Sequence, residues 1–319
     1  MAPQPWRRVL LDGFRLVRFP EFAHFILLTT LAAARLAGAQ LDWRLLVILL
    51  VNMLAAGFGF VINEVEDAPA DALHPLKRRR NPVAAGRLSR RAGLAIASVL
   101  GGVALGLSAL LGWAVFAISL VSLVLAWAYS WRSIRLKAMP IVDLLEHSWG
   151  LAGQQFVLTY LALGGEAWHV VWPVLAALML VSMYGQFYNE LHDLETDRRA
   201  GIRTTAVFIG PRPARVLMYT LLASGIAMFV LACWRRVVPW WVFVVPLLIL
   251  SLLLVWRWLV TWLSLNTWLP ALVAFPTGKR LRDARGQRAL DVTGWLQVPT
   301  LLGLNLVVII WFLLSLFGF

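Results

Sequence analysis

The sequence predicts an all-α, polytopic membrane protein, and three observations carry that prediction. Hydrophobic residues make up 61% of the 319-residue chain, and its mean hydropathy is +0.76, beyond the roughly half-apolar composition of a soluble domain. Nine stretches, near 22–39, 44–63, 92–110, 113–130, 141–163, 171–189, 213–232, 240–263 and 294–317, have the length and apolarity of a span, which needs about 20 such residues. Most of the 29 Lys and Arg fall in the N-terminal region and in the loops after the second, fourth, sixth and eighth stretches. Nine alternating helices put those regions on one side, which the positive-inside rule makes cytoplasmic, N-terminus included. The net charge of +13 is thereby assigned to topology and anionic lipid, not to nucleic acid.

The N-terminal region, MAPQPWRRVLLDGFRLVRFP, is basic and interrupted, and it lacks the pattern of a removable signal peptide. The second stretch ends in NEVEDAPAD (63–71) and runs into the basic loop ALHPLKRRRNPVAAGRLSRR. Pro69 inside that motif predicts that the helix kinks or stops there, so that Asp71 leaves the stripe. The fourth stretch gives way to YSWRSIRLKAMP, and the fifth begins with Asp143, Glu146 and His147 one turn apart. This trio reads equally as a base near a substrate or as a hydrogen-bonded packing cluster. Gln154 and Gln155 read as links between helices. The sixth stretch ends in NELHDLETD (189–197) and runs into RRAGIRTTAVFIGPRPAR. The lone Cys233 closes the seventh as a packing residue. Arg257 in the eighth reads as snorkelling toward the interface, and TGKRLRDARGQRALD beyond it as a topological loop. The 17 Trp gather near the ends of the stretches, as interfacial anchors do. No linker divides the chain, so 1–319 reads as a single membrane domain with 64–91 and 190–212 as cytoplasmic cap loops.

The two acidic motifs share one template, Asn-Glu-x-x-Asp-x-x-x-Asp, at the ends of the second and sixth stretches. They hold half of the 16 Asp and Glu in the chain. Residues four apart share a helix face, so Asn189, Asp193 and Asp197 form one stripe. Asn63 and Asp67 form another. Like charges at that spacing repel, and acids near membrane depth are costly, so the arrangement calls for a cation among the oxygens. Hard oxygen donors of this kind suit Mg²⁺, which takes a few carboxylates plus substrate phosphates. Lys77, Arg78, Arg79, Arg80, Arg198, Arg199 and Arg203 follow in the loops and can orient phosphate oxygens. Carboxylates, Mg²⁺, diphosphate and basic residues together make diphosphate a better leaving group. Ordinary wet helix ends with surface ion pairs would explain one such motif. Two copies at equivalent topological positions weigh against that account.

These motifs resemble the two aspartate-rich motifs of the UbiA superfamily of intramembrane prenyltransferases. The tail DRRAGIRTTAVFIG, the segment LVRFPEF and the loop YSWRSIRLKAMP extend the likeness over most of the chain. The resemblance implies nine helices around a central cavity open laterally to lipid, in a multi-pass protein of a prokaryotic plasma membrane. It implies Mg²⁺-dependent ionisation of a prenyl diphosphate donor and capture of the cation by a lipophilic acceptor. Carried over by position, Asn63, Asp67, Asp71, Asp193 and Asp197 hold the metal ions, with Asn189 and Glu190 behind them. Lys137, Arg78 and Arg203 contact diphosphate, supported by Tyr129, with Lys77 and Arg198 beside them. Asp67, Asp193 and Lys137 head the catalytic set, and Asp143 is the candidate base near the acceptor. Where this chain has Asn63-Glu64 and Asn189-Glu190, many members have Asn-Asp. One branch, the synthases that join phosphoribose to decaprenyl phosphate, has a loop that HPLKRRRNPVAAG resembles, and Asp143 leans the same way. The extra Asn81 and the start RFPEFAHF depart from that branch. A terpene cyclase on the same scaffold and a cation-coupled transporter complete the alternatives; acids beside phosphate-type basic loops weigh against the transporter.

Overall fold

The computed structural model describes residues 5–199, 201–266 and 292–317, and every regular element among them is helical. Helix α1 (Pro5–Val17) is amphipathic, with Val9, Leu10, Leu11 and Phe14 exposed on one side. It meets α2 (Phe19–Leu36) at 45°. The joint is Arg18, a non-glycine residue at φ 57°, a conformation that persists where surrounding contacts over-determine it. Helix α3 (Trp43–Asp71) starts at Asp42, whose side chain accepts from the Leu45 amide, an N-cap. After the short α4 (Pro75–Arg80), Ser89 caps α5 (Arg90–Ala109) in the same way, and α6 (Trp113–Ser130) follows. A 3₁₀ turn (Leu136–Ala138) leads into α7 (Val142–Ser148). The chain continues through α8 (Gln154–Ala162), α9 (Trp168–Arg199), α10 (Thr205–Ile209), α11 (Pro211–Trp234), α12 (Trp240–Asn266) and α13 (Val292–Leu316).

Three features differ from the sequence expectation. Helix α3 runs through Pro69 to Asp71. Proline removes the donor that the Val65 carbonyl would have used. The Asn81 side chain then pins this last turn, donating to the Glu64 carbonyl at 2.8 Å and to Asp71 Oδ2 at 3.0 Å. Second, the segments 64–91 and 190–212 are largely helical rather than loops, because α3 and α9 extend past the apolar stretch and α4 and α10 lie beyond them. Third, the fifth stretch is not one helix: a π-helical turn (Trp149–Gly153) separates α7 from α8. By length and composition, five of the described helices are spans, or six if the bent α1–α2 pair counts as one. Trp240–Val255 and Gly303–Leu316 are shorter apolar stretches. The side chain of Arg257 and the loop 277–291 lie outside the described residues.

The packing follows the small residues. Helix α3 lies along α5, and α9 along α11. At the first contact a Cβ on Gly93 would sit 2.4 Å from Val65 Cγ2, and one on Gly101 3.0 Å from the Phe58 ring. In a bilayer, close approach of this kind replaces the hydrophobic drive that water would supply. Helix α2 packs on both α8 and α13. Asn52, fully buried in α3, donates to Thr30 Oγ1 of α2 and Thr159 Oγ1 of α8, each at 3.0 Å. Gln155 Nε2 donates to the Gly150 carbonyl at 2.6 Å, closing the π-turn, so that glutamine serves its own segment. Cys233 is buried among apolar neighbours, as expected of a packing residue.

Candidate active site

The ends of α3 and α9 meet at one end of the bundle. Lys77 of α4 reaches Asp193 of α9 at 3.8 Å. Asp197 lies within electrostatic reach of Asp193, Lys77, Lys137 and Asp67. The four-residue spacing does what the sequence predicts, presenting Asn63 and Asp67 on one stripe and Asp193 and Asp197 on another.

The first motif is occupied by an ammonium group. Lys137, on the 3₁₀ turn after α6, donates from Nζ to Asn63 Oδ1 at 2.7 Å and to both Asp67 oxygens at 2.7 and 2.6 Å. Ser130 Oγ donates to the same Asn63 oxygen at 2.9 Å. Arg135 stands 3.6 Å from Asp67. Burial pushes the Lys137 ammonium below its ordinary value, and the Asp67 charge pulls it back up. Asp71, the last residue of the motif, accepts from Asn81. Asn81 is buried and also takes the Val83 and Ala84 amides at its Oδ1. The residue that interrupts the loop pattern is therefore an anchor for the motif.

The glutamates of both motifs turn away from the stripe. Glu64 accepts from Arg18 Nη1 at 2.5 Å. Glu66 is held between Arg90 Nη2 at 2.6 Å and Arg132 Nε at 3.2 Å. Glu190 accepts from the Ala206 amide at 2.9 Å and from Gln186 Nε2 at 3.2 Å. All three are at most 5% exposed. Their work is to tie α3 to the α1–α2 joint and the loop after α6, and α9 to the first turn of α10. The family resemblance puts Glu190 behind the metal ligands. The structure commits both of its oxygens to other partners.

The other expected residues divide. Asp143 is fully buried. Its Oδ2 accepts from the Thr205 amide at 2.6 Å, and its Oδ1 from Thr205 Oγ1 at 2.5 Å and the Leu144 amide at 2.8 Å. With three hydrogen bonds on its two oxygens, Asp143 clasps α7 to α10. Thr205 Oγ1 in turn accepts from the Ile141 amide at 2.6 Å, where Ile141 sits at φ 72°. A β-branched residue in that region marks strain that the clasp holds. Tyr129 accepts from Gln186 at 3.4 Å and so faces α9, not Lys137. Arg78 is exposed, Arg198 pairs with Glu195 at 3.6 Å, and Arg203 lies over the Phe208 ring. Arg79 and Arg80 point away from the motifs, toward α1 and α2. Asn189 is exposed on α9. Sequence reasoning missed Ser130, Gln186 and Thr205. The one local signal was Thr204, a cap residue that accepts from the Val207 amide and so starts α10.

Among the described residues no three His, Cys, Asp or Glu side chains converge as a metal cluster. The donor set nevertheless fits a hard cation: amide and carboxylate oxygens of Asn63, Asp67, Asp193 and Asp197. The Lys137 ammonium lodged among the first two is the stand-in.

Residues 26–275 match the model of the UbiA prenyltransferase family. The digeranylgeranylglyceryl phosphate synthase of Methanoregula boonei is 28% identical over 221 residues, covering 67% of this chain and 75% of that protein. The 4-hydroxybenzoate octaprenyltransferase of Shewanella baltica is 28% identical over 200 residues, 62% of this chain and 67% of that one. A UbiA homolog from Archaeoglobus fulgidus bound to GPP and Mg²⁺ superposes with a TM-score of 0.66 at 20% identity, over 96% of this chain and 99% of that one. The apo structure of a UbiA homolog from Aeropyrum pernix K1 gives 0.68 at 17% identity, over 92% and 98%. At these identities the structural likeness establishes the fold.

Proposed function

Because this chain belongs to the UbiA prenyltransferase family, a multi-pass membrane transferase of prenyl groups, we propose that it moves a polyprenyl group from its diphosphate to a lipophilic acceptor with Mg²⁺. The observation that carries the proposal is the cation already seated in the first motif, Lys137 on Asn63 and Asp67, with Asp197 of the second motif within electrostatic reach of it.

Asn63, Asp67, Asp71, Asn189, Asp193 and Asp197 would hold the metal ions, and the bound ions would neutralise diphosphate charge so that it leaves readily. The chain's own side chains do the rest. Lys137, once free of Asp67, is placed to donate to a diphosphate oxygen. Lys77 stands at the second motif for the same purpose, and Arg78, Arg198 and Arg203 are the further basic side chains for diphosphate oxygens. The bond between the allylic carbon and the bridging oxygen breaks, and its electron pair leaves with diphosphate. The nucleophilic atom of the acceptor then bonds to that carbon and passes its proton to the departing diphosphate. Asp143 acts as a positioning residue, fixing α10 and with it the loop that carries Arg203. The membrane is proposed to be a prokaryotic plasma membrane, with the motif end cytoplasmic because the basic loops lie there.

The test is diphosphate release by the purified protein in detergent, with and without Mg²⁺, over a ladder of prenyl diphosphates and over phosphoribosyl diphosphate with polyprenyl phosphate. Mg²⁺-dependent release from a prenyl diphosphate is the expected result. Release only from the phosphoribosyl donor, or release indifferent to Mg²⁺, overturns the reading.

A further inference from the structure

The basic run 77–80 is divided by the geometry of α4. Lys77 faces Asp193, while Arg79 and Arg80 turn to the opposite side. There, with Arg15, Arg18, Arg87 and Glu21, they line a cavity of about 610 Å³ that includes none of the motif oxygens. Three carboxylates serve these five arginines. Asp12 accepts from Arg15 at 3.3 Å and from Arg87 at 3.1 Å. Glu21 pairs with Arg18 and Arg80, and Glu64 with Arg18. The Arg79 guanidinium has no acidic partner among the described residues, and two positive charges are left over in one concavity.

The position of the cavity selects its ligand. Phe14 of α1 forms part of its wall and belongs to the exposed apolar side of that helix with Val9, Leu10 and Leu11. Leu10 and Phe14 are four residues apart and share a face. An amphipathic helix joined at 45° to a hydrophobic helix can rest its apolar side against the acyl boundary. The arginine cavity therefore opens at headgroup level, beside a strip that acyl chains can cover. Arginine forks fit phosphate oxygens in pairs.

We infer that this cavity is a binding site for the phosphate of an anionic phospholipid, separate from the diphosphate site between the acidic motifs. Arg79 supplies the unpartnered charge, Arg15 and Arg87 share the single carboxylate of Asp12, Arg80 frames the cavity, and the Leu10–Phe14 strip receives the acyl chains. The lipid would hold α1 against α4 and so brace the Arg18 joint that carries Glu64.

The experiment uses full-length protein in nanodiscs and in neutral detergent, with retained lipid counted by native mass spectrometry. The probes are phosphatidylglycerol, phosphatidylcholine and inorganic phosphate. Wild type is compared with the double variant Arg15→Gln, Arg79→Gln, and with Arg91→Gln, Arg212→Gln, which removes equal charge from exposed residues outside the cavity. Neutralising two headgroup-binding arginines should lower phosphatidylglycerol retention roughly tenfold to thirtyfold. The control variant should retain lipid as wild type does, millimolar phosphate should not displace it, and Mg²⁺-dependent diphosphate release in detergent should persist in the cavity variant. Equal retention by wild type and cavity variant overturns the proposal. So does an equal loss in the control variant, which would mean diffuse charge, or displacement by inorganic phosphate, which would mean a free-anion site.

Discussion

The two acidic motifs repeat one template, yet the structure treats them differently. In the first, every polar side chain is held: Asn63 and Asp67 by Lys137, Glu64 by Arg18, Glu66 by Arg90 and Arg132, Asp71 by Asn81. In the second, only Glu190 is firmly held, by the Ala206 amide, while Asn189 is exposed and Asp193 has a single distant lysine. The first motif is closed around the Lys137 ammonium, and the second leaves its stripe largely uncommitted. A repeated sequence therefore need not mean a repeated role. The glutamates in the second position of each copy are structural in both, and the asymmetry lies in the ligand stripe itself.

The strongest way to break this comparison is to remove one aspartate from each motif. Asp67→Ala and Asp193→Ala should each lower Mg²⁺-dependent turnover by at least about 10²-fold, the scale on which one preorganised electrostatic partner acts. Only Asp67→Ala should also lower stability, by about 2 kcal/mol, because it leaves the Lys137 ammonium without its carboxylate. Diphosphate release and the apparent thermal midpoint, measured side by side, separate the two. If Asp193→Ala keeps its activity, the second motif is not a ligand set. If both variants melt alike, the closure assigned to the first motif is wrong.

Next in size is the clasp between α7 and α10. Asp143→Ala leaves the buried Thr205 amide and hydroxyl without their acceptor, which costs about 2–3 kcal/mol. It should lower kcat about tenfold through displacement of α10, the scale on which a supporting hydrogen-bond partner behind a site acts. A positioning role predicts that Thr205→Val reproduces a good part of both losses. Were Asp143 a base, its replacement would change the pH profile of turnover and Thr205→Val would not touch activity.

The membrane class, the helical fold and the two aspartate stripes were legible in the sequence because each is local: hydropathy over 20 residues, charge per loop, a spacing of four. What escaped was long-range. Lys137 was expected at the diphosphate, but nothing local hints that it closes on Asp67, 70 positions away. Asp143 read equally as a base or as part of a hydrogen-bonded cluster, because Thr205, its partner, lies 62 residues on. Pro69 read as a helix end because the local cost of proline is certain, whereas the repair from Asn81 depends on a loop returning to the same turn. Asn81 itself read as a flaw in a motif. The split of the basic run at α4 follows from helix geometry, yet the side that faces the acids is set by packing.

Asparagine replacements sharpen the comparison further. Asn63→Ala removes an oxygen that accepts from both Lys137 and Ser130, so it should weaken apparent Mg²⁺ affinity about tenfold and lower the thermal midpoint by an amount equivalent to about 1 kcal/mol. Asn189→Ala starts from an exposed side chain and should weaken Mg²⁺ affinity by a comparable factor with no change in melting. Titration of activity with Mg²⁺, paired with melting in its absence, reads both quantities. Equal melting shifts would show that the second motif is as tightly built as the first.

The smallest effect is expected at Lys77, and its smallness is informative. Its contact with Asp193 is long, at 3.8 Å, and both side chains are more than two-fifths exposed, so the pair should contribute under about 0.5 kcal/mol to stability. If Lys77 serves the substrate instead, Lys77→Ala should leave the thermal midpoint and kcat in place. It should raise KM for the prenyl diphosphate several-fold, the signature of a contact made equally in ground and transition states. A fall in kcat at constant KM would place Lys77 on the leaving group in the transition state, alongside Lys137. A fall in stability would mean that Asp193 is held more firmly than its exposure implies, and the open motif would have to be redrawn as a closed one.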